Sequence, residues 1–92
     1  MLFYTPVAKA ELYHGLRPGE EDATARLFAS LRCLPITDEV GEQAGRYLAA
    51  YHRSHALEIP DALVAASARI HRASLFTLNR KHFPMKDIRL IS

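Results

Sequence analysis

The sequence predicts an α/β fold in which helices cover a short parallel sheet. Short apolar segments, which suit buried strands, alternate along the chain with longer segments whose apolar residues recur at helical spacing. Several of the longer segments begin with a capping residue, a proline or an acidic residue, as helices do. The predicted order is strand, helix, helix, strand, helix, helix, strand, loop and strand, and such alternation is typical of a parallel sheet.

Length and composition indicate a single domain. The 92 residues can bury one core, and with 49% hydrophobic residues the chain is too apolar to be disordered. No apolar run approaches the roughly 20 residues that span a bilayer, so no membrane association is expected.

The single cysteine, Cys33, excludes an internal disulfide and is typical of a cytoplasmic protein. Its apolar neighbours Leu31 and Leu34 predict a buried thiol.

A strand at residues 1–4 opens the predicted fold, because these residues are apolar or aromatic without a turn residue among them. Thr5 can cap the following helix and Pro6 can begin it, since proline at the first helical position loses only an amide without a partner. This helix is predicted to run to about Leu16. Glu11 lies in its middle, where a glutamate is usually only solvated.

A break at residues 17–19 precedes the second predicted helix, and three acidic residues at 20–22 suit its start. A short strand is predicted at residues 33–36. Because Pro35 cannot donate a ladder hydrogen bond, this strand is placed at an edge of the sheet. The expected inward face of the second helix consists of Ala23, Leu27, Ser30 and Leu31.

The third helix is predicted to begin after Thr37 as its cap. Gly41 and Gly45 each cost about 1 kcal/mol relative to alanine in a helix, so they suggest a close helix contact, such as one between subunits. His52 and His55 have a spacing that could share a metal ion, but no third ligand is evident nearby, so packing or surface roles are favoured. The residues at helical spacing that predict its buried stripe are Val40, Ala44, Tyr47, Leu48, Tyr51 and His55.

The fourth predicted helix opens at Pro60 and runs to about Arg72. Asp61 lies in its first turn, where the helix dipole and the free amides favour the ionised carboxylate. Such a carboxylate is a good ligand for a hard cation, and the alternative is an ordinary first-turn acid that only stabilises the helix. Short strands are predicted at residues 73–78 and 88–91.

The formal charge of +2 is unevenly distributed. Residues 1–45 contain four Lys or Arg against seven Asp or Glu, whereas residues 46–92 contain eight against three. A basic half of this kind suits a polyanion such as RNA, although solvated surface charge alone could also produce it. Aromatic residues do not alternate with the basic ones, so a dedicated stacking platform for RNA is not indicated.

Three segments of the sequence resemble PIN-domain ribonucleases, most closely the VapC-like toxins of toxin–antitoxin pairs. The first contains Glu11, the second contains Asp61, and the third contains Thr77 and Asn79 ahead of Lys81-His82-Phe83. Together they extend the resemblance over essentially the whole chain. In the family's order, these segments are residues 5–16, 57–66 and 77–83.

The resemblance implies a single PIN-like domain over residues 1–92, with a three-layer α/β/α fold and a short parallel sheet. It further implies an endoribonuclease that uses Mg²⁺, or Mn²⁺, to hydrolyse RNA phosphodiester bonds. Glu11 and Asp61 would then be metal-binding carboxylates. Asn79 would be a neutral metal ligand or a group that positions water, and Thr77 would support it by hydrogen bonding.

The sequence departs from the family's pattern at its start. A full member begins with a strand that ends in an aspartate, and Met1 stands where the family's second strand should begin. The missing strand is central in the family's sheet, so its loss should leave one strand pair near each side. The chain is therefore interpreted as a shortened variant, a fragment, the product of a misassigned start, or a protein that closes its sheet by another route.

Two functional hypotheses follow from the resemblance. In the first, the chain is a toxin-type ribonuclease whose activity is reduced or lost because the first acid is missing. In the second, it is an inactive remnant that acts through dimerisation or through binding a cognate antitoxin. A homodimer or higher oligomer is expected in either case, because a sheet without its central strand exposes unpaired edges.

Overall fold

The described part of the computed structural model comprises residues 3–76 and 83–91. Four helices and four short strands occur in it, in the order that the sequence predicts. The helices are α1 (Pro6–His14), α2 (Glu21–Ala29), α3 (Asp38–His55) and α4 (Ile59–Ile70). The strands are β1 (Phe3–Tyr4), β2 (Arg32–Cys33), β3 (Leu75–Phe76) and β4 (Leu90–Ile91).

The four strands form two separate parallel pairs. β1 pairs with β2, with Phe3 opposite Arg32, and β3 pairs with β4, with Leu75 opposite Leu90. Within the described residues β1 does not pair with β3, so the two pairs are not joined into one sheet. The expected division of the sheet into two pairs is confirmed, and the gap is not closed by pairing of these two strands.

The predicted helix starts at the two threonines are confirmed. The Thr5 hydroxyl oxygen accepts a 3.2 Å hydrogen bond from the amide of Ala8, and Thr37 accepts one of 3.3 Å from the amide of Val40. Each bond satisfies an amide that the first turn of a helix would otherwise leave unpaired. Among the described helices, none is both long enough and apolar enough to cross a membrane.

The core lies between α3 and α4. The predicted stripe on α3 is confirmed at Val40, Ala44 and Tyr47, which are buried, and at Leu48 and Tyr51, which are partly buried. His55, at the end of that stripe, is exposed, although its ring contacts that of Tyr51 at 5.8 Å between centroids. The α4 side of the core is built from small residues, which let the two helix backbones approach closely: Ala62, Ala65 and Ala66.

The predicted inward face of α2 is wrong. Thr24 and Phe28 are the buried residues of this helix, whereas Leu27 is 50% exposed. The Phe28 ring lies 4.7 Å from the ring of Tyr4 and 6.0 Å from that of Tyr13, measured between centroids. Burial of this aromatic cluster therefore sets the orientation of α2. Phe28 faces the core in place of the adjacent Leu27, which was expected there.

The prediction of a buried Cys33 is also wrong, because its side chain is exposed. Cys33 ends β2, and successive side chains in an extended segment point to opposite faces. Leu34, the next residue, takes the buried position and is 7% exposed. A buried apolar residue next to a strand residue therefore predicts that the strand residue faces the other way.

Candidate functional site

Asp61 lies in the first turn of α4 and is partly buried. The helix begins at Ile59 with Pro60 next, after Glu58 in an extended conformation with φ −114° and ψ 165°. The Glu58 side chain makes no capping hydrogen bond. Asp61 is the acidic residue of the first turn of α4, so its side chain lies at the positive end of the helix dipole.

Glu11 lies in α1 and its side chain is exposed. Helix α1 packs against α4, so the two predicted acids are carried by neighbouring helices. That Glu11 and Asp61 share one metal ion stays a prediction. The other two predicted site residues, Thr77 and Asn79, lie outside the described residues.

The chemistry of these donors fits a magnesium ion. Mg²⁺ prefers hard oxygen ligands, usually binds one or two protein carboxylates, and keeps several of its waters. The structure offers an exposed glutamate, Glu11, and a partly buried aspartate, Asp61, in the first turn of a helix. Among residues 3–76 and 83–91, no cluster of three or more His, Cys, Asp or Glu side chains could hold a metal by itself.

The two histidines near the end of α3 have other partners. His52 Nδ1 lies 2.8 Å from the carbonyl oxygen of Leu57, which can only accept, so Nδ1 carries the proton. His55 Nδ1 and the hydroxyl of Ser54 are hydrogen-bonded at 2.7 Å. These contacts support the packing and surface roles that the sequence favoured over a zinc pair.

A shallow apolar groove lies between the last turns of α3 and the start of α4. Its volume is about 480 Å³, and its wall includes Ile59, which is 62% exposed. Neither Glu11 nor Asp61 lines it. The groove therefore adjoins the first turn of α4, but it is not the predicted metal site. Its lining residues are Leu48, Ala49, His52, Leu57, Glu58 and Ile59.

Sequence reasoning missed a polar cluster around Asp87. The Tyr47 hydroxyl donates a 2.7 Å hydrogen bond to Asp87 Oδ1, and the Arg69 guanidinium donates to Oδ2. Burial of the phenol, followed by its hydrogen bond to the carboxylate, raises the pKa of Tyr47 above its usual value. The sequence contained one signal for this cluster. Asp87 is the only acidic residue after Asp61, so it stands alone among basic residues that could pair with it.

The chain matches one family model and several known proteins. Residues 1–88 match the model of the PIN domain family. The chain is 41% identical over 80 residues to Ribonuclease VapC10 of Mycobacterium tuberculosis, an alignment that covers 86% of this chain and 60% of that protein. It is 32% identical over 80 residues to Ribonuclease VapC19 of the same organism, which covers 86% of this chain and 64% of that protein.

A solved structure shares the fold. A chain of a toxin–antitoxin complex from Klebsiella pneumoniae matches with a TM-score of 0.61 and 24% identity, covering 94% of this chain and 63% of that chain. This chain therefore spans less than two thirds of the length of each of these relatives. The resemblance to PIN-domain, VapC-like proteins and the α/β fold are confirmed, and the chain belongs to the PIN domain family.

Proposed function

We propose that this chain is a Mg²⁺-dependent endoribonuclease of the VapC type, which hydrolyses phosphodiester bonds in RNA. The observation that carries the proposal is the similarity to two proteins named as ribonucleases, over 86% of this chain in each case. A second support is the position of Asp61, a partly buried carboxylate in the first turn of a helix. The excess of Lys and Arg in residues 46–92 suits an RNA substrate.

The proposal gives each site residue a role. Glu11 and Asp61 would hold Mg²⁺ or Mn²⁺, and the bound ion would activate water and neutralise the charge that develops on the phosphate. Asp61 suits this role because the positive end of the α4 dipole, at the first turn, stabilises negative charge there, where a cation and its carboxylate ligand would meet the phosphate. Asn79 would be a neutral ligand or would orient water, and Thr77 would hold Asn79 in place through a hydrogen bond.

Divalent-dependent cleavage of RNA tests this proposal. The wild-type chain is incubated with end-labelled single-stranded RNA, with Mg²⁺ and then with a chelator in its place. Cleavage that requires the cation and is lost in Asp61→Asn supports the assignment. Cleavage that persists in Asp61→Asn, or that does not need a divalent ion, rejects it.

Two protein partners belong to the proposal. A cognate antitoxin is one, because a solved structure that shares this fold is named as a toxin–antitoxin complex. A second copy of the chain is the other, because two parallel strand pairs that are not joined leave strand edges to cover. Helix α3 offers a place for a close contact between two copies, since a Cβ atom added at Gly41 or Gly45 would meet nothing within 4 Å.

A cytoplasmic location would suit an RNA substrate and the exposed thiol of Cys33.

The alternative is an inactive PIN domain that acts only through dimerisation or antitoxin binding. The divided sheet favours it, because the described strands do not form the continuous sheet that would set the site residues in fixed positions. Calorimetry with Mg²⁺ separates the two hypotheses. A chain that self-associates but neither binds Mg²⁺ through Asp61 nor cleaves RNA fits the alternative alone.

A further inference from the structure

We propose that the C-terminal end of α4 and the segment before β4 form a second RNA-binding surface, which contacts backbone phosphates of single-stranded RNA. The inference rests on the proposed function and adds a binding surface remote from Asp61. We call this surface the basic patch. It consists of Arg69, Arg72, Lys86 and Arg89, all of which are exposed.

Two contacts bring these residues together from distant parts of the sequence. The Arg69 guanidinium donates to the Asp87 carboxylate, which holds residues 86–89 against the last turn of α4. The Leu75 amide donates a 2.8 Å hydrogen bond to the carbonyl oxygen of Arg89, so the chain that follows α4 runs beside the chain that leads into β4. The four cationic residues are therefore carried by neighbouring segments of the fold, and each side chain is exposed.

The segments that carry the patch contain little negative charge of their own. Asp87 is the only acidic residue in residues 62–92, and Arg69 and the Tyr47 hydroxyl already occupy its two oxygens. The other three cations of the patch form no ion pair with the described residues. The negative end of the α4 dipole explains a cation at Arg69, within the last turn, but its effect falls off beyond that turn.

Arg72 supplies an independent observation. Its φ of 54° lies in the left-handed region, where a side chain crowds the backbone. The hydrogen bonds Ala73 N to Ala68 O, 2.8 Å, and Arg72 N to Arg69 O, 3.2 Å, complete a Schellman motif after His71. Glycine, or less often asparagine, is the usual residue at this position. The chain thus carries a cationic side chain where helix termination alone would favour glycine.

The position of the patch suits a polymeric substrate. Asp61 lies in the first turn of α4 and the patch lies at the other end, about 15 Å away at the helical rise per residue. An RNA strand of several nucleotides can contact both places, whereas a dinucleotide cannot. The patch contains no aromatic side chain, so it should bind phosphates without reading the bases.

RNA binding without divalent ions tests the proposal apart from cleavage. The probe is a fluorescent single-stranded RNA in a chelating buffer, and its anisotropy gives the affinity across a range of salt concentrations. Arg72→Gly and Arg89→Gln should each weaken binding, and each should lower the slope of log affinity against log salt by about 0.7. Arg26→Gln, which removes an exposed cation from α2, is the matched control and should leave both values unchanged.

Arg72→Gly also separates binding from folding. Because glycine suits the left-handed position, this variant should unfold at a higher temperature than the wild type while it binds RNA more weakly. Wild-type affinity in both patch variants, an equal loss in Arg26→Gln, or no RNA binding by the wild type overturns the proposal. If the wild type cleaves RNA through Asp61 while the patch variants bind normally, only this inference fails and the proposed function stands.

Discussion

The Tyr47 hydroxyl on α3 donates a 2.7 Å hydrogen bond to Oδ1 of Asp87, a residue 40 positions further along the chain. The second oxygen of Asp87 accepts from Arg69 on α4, so one carboxylate connects both core helices to the segment that leads into β4. In the same segment, Phe83 and Met85 are 8% and 3% exposed and pack in the core. Residues 83–87 are thus held to the core by apolar burial and by one polar cluster.

Tyr47→Phe should lower the free energy of unfolding by about 1.5 kcal/mol. The variant loses a hydrogen bond to a charged group, and the partial exposure of Asp87 keeps the cost near the low end of the range for such bonds. Urea denaturation measures the change. Tyr51→Phe is the control, because the Tyr51 hydroxyl makes no hydrogen bond with the described residues, and it should cost much less. Equal effects of the two substitutions would contradict the role given to Asp87.

The same contact predicts a loss of stability in alkali. The pKa of Tyr47 is higher in the folded chain than in the unfolded chain, because the phenol is buried and bound to a carboxylate. The neutral hydroxyl therefore stabilises the fold fully below about pH 10, and this contribution is lost as the pH rises through the folded value. The stability difference between the wild type and Tyr47→Phe should shrink above about pH 10. A stability difference that stays constant or grows as the pH rises would contradict this prediction.

Ser67→Ala should stabilise the chain by about 1 kcal/mol. The Ser67 side chain is fully buried in α4, and its hydroxyl has no hydrogen-bond partner among residues 3–76 and 83–91. Alanine removes an unsatisfied polar group and is also the better helix former. Thermal unfolding measures the effect. Ser54→Ala, at an exposed position of α3, is the control and should change stability by only a few tenths of a kcal/mol. A destabilised Ser67→Ala would mean that the hydroxyl is needed in the fold.

Alanine at both Gly41 and Gly45 should have opposite effects on folding and on self-association. Each glycine lies inside α3 with open space around it, so each alanine should add about 1 kcal/mol to the stability of the separate chain. If a second copy packs against this part of α3, the added methyl groups should weaken the dimer. Unfolding at low concentration and light scattering over a concentration range measure the two effects. Unchanged association would place the proposed dimer contact elsewhere.

The sequence predicts local structure well here because its signals are local. Thr5 and Thr37 cap the helices that were expected to follow them, and the stripe from Val40 to Tyr51 identified the buried face of α3. The order of strands and helices, and the division of the sheet into two pairs, were also predictable. The order of the elements followed from residue patterns along the chain. The division of the sheet followed from the family resemblance.

The features that were not predictable depend on contacts between distant residues. The orientation of α2 is set by the contact of Phe28 with the rings of Tyr4 and Tyr13, which no helical pattern within α2 contains. The exposure of Cys33 depends on which face of β2 meets the core. For the candidate site, the first-turn position of Asp61 in its helix was predictable, whereas the Asp87 cluster joins residues 18 and 40 positions apart.

RNA cleavage by four matched proteins tests the proposed activity most directly. The wild type, Asp61→Asn, Glu11→Gln and Asp38→Asn are compared at equal concentration with Mg²⁺ and with a chelator. Asp38 is the control because it is an aspartate in the first turn of another helix, α3. The account predicts Mg²⁺-dependent cleavage by the wild type and Asp38→Asn, with a loss of at least about 100-fold in the other two, as for removal of groups that act on the developing charge. Equal rates in all four proteins, or no cleavage by the wild type, would contradict it.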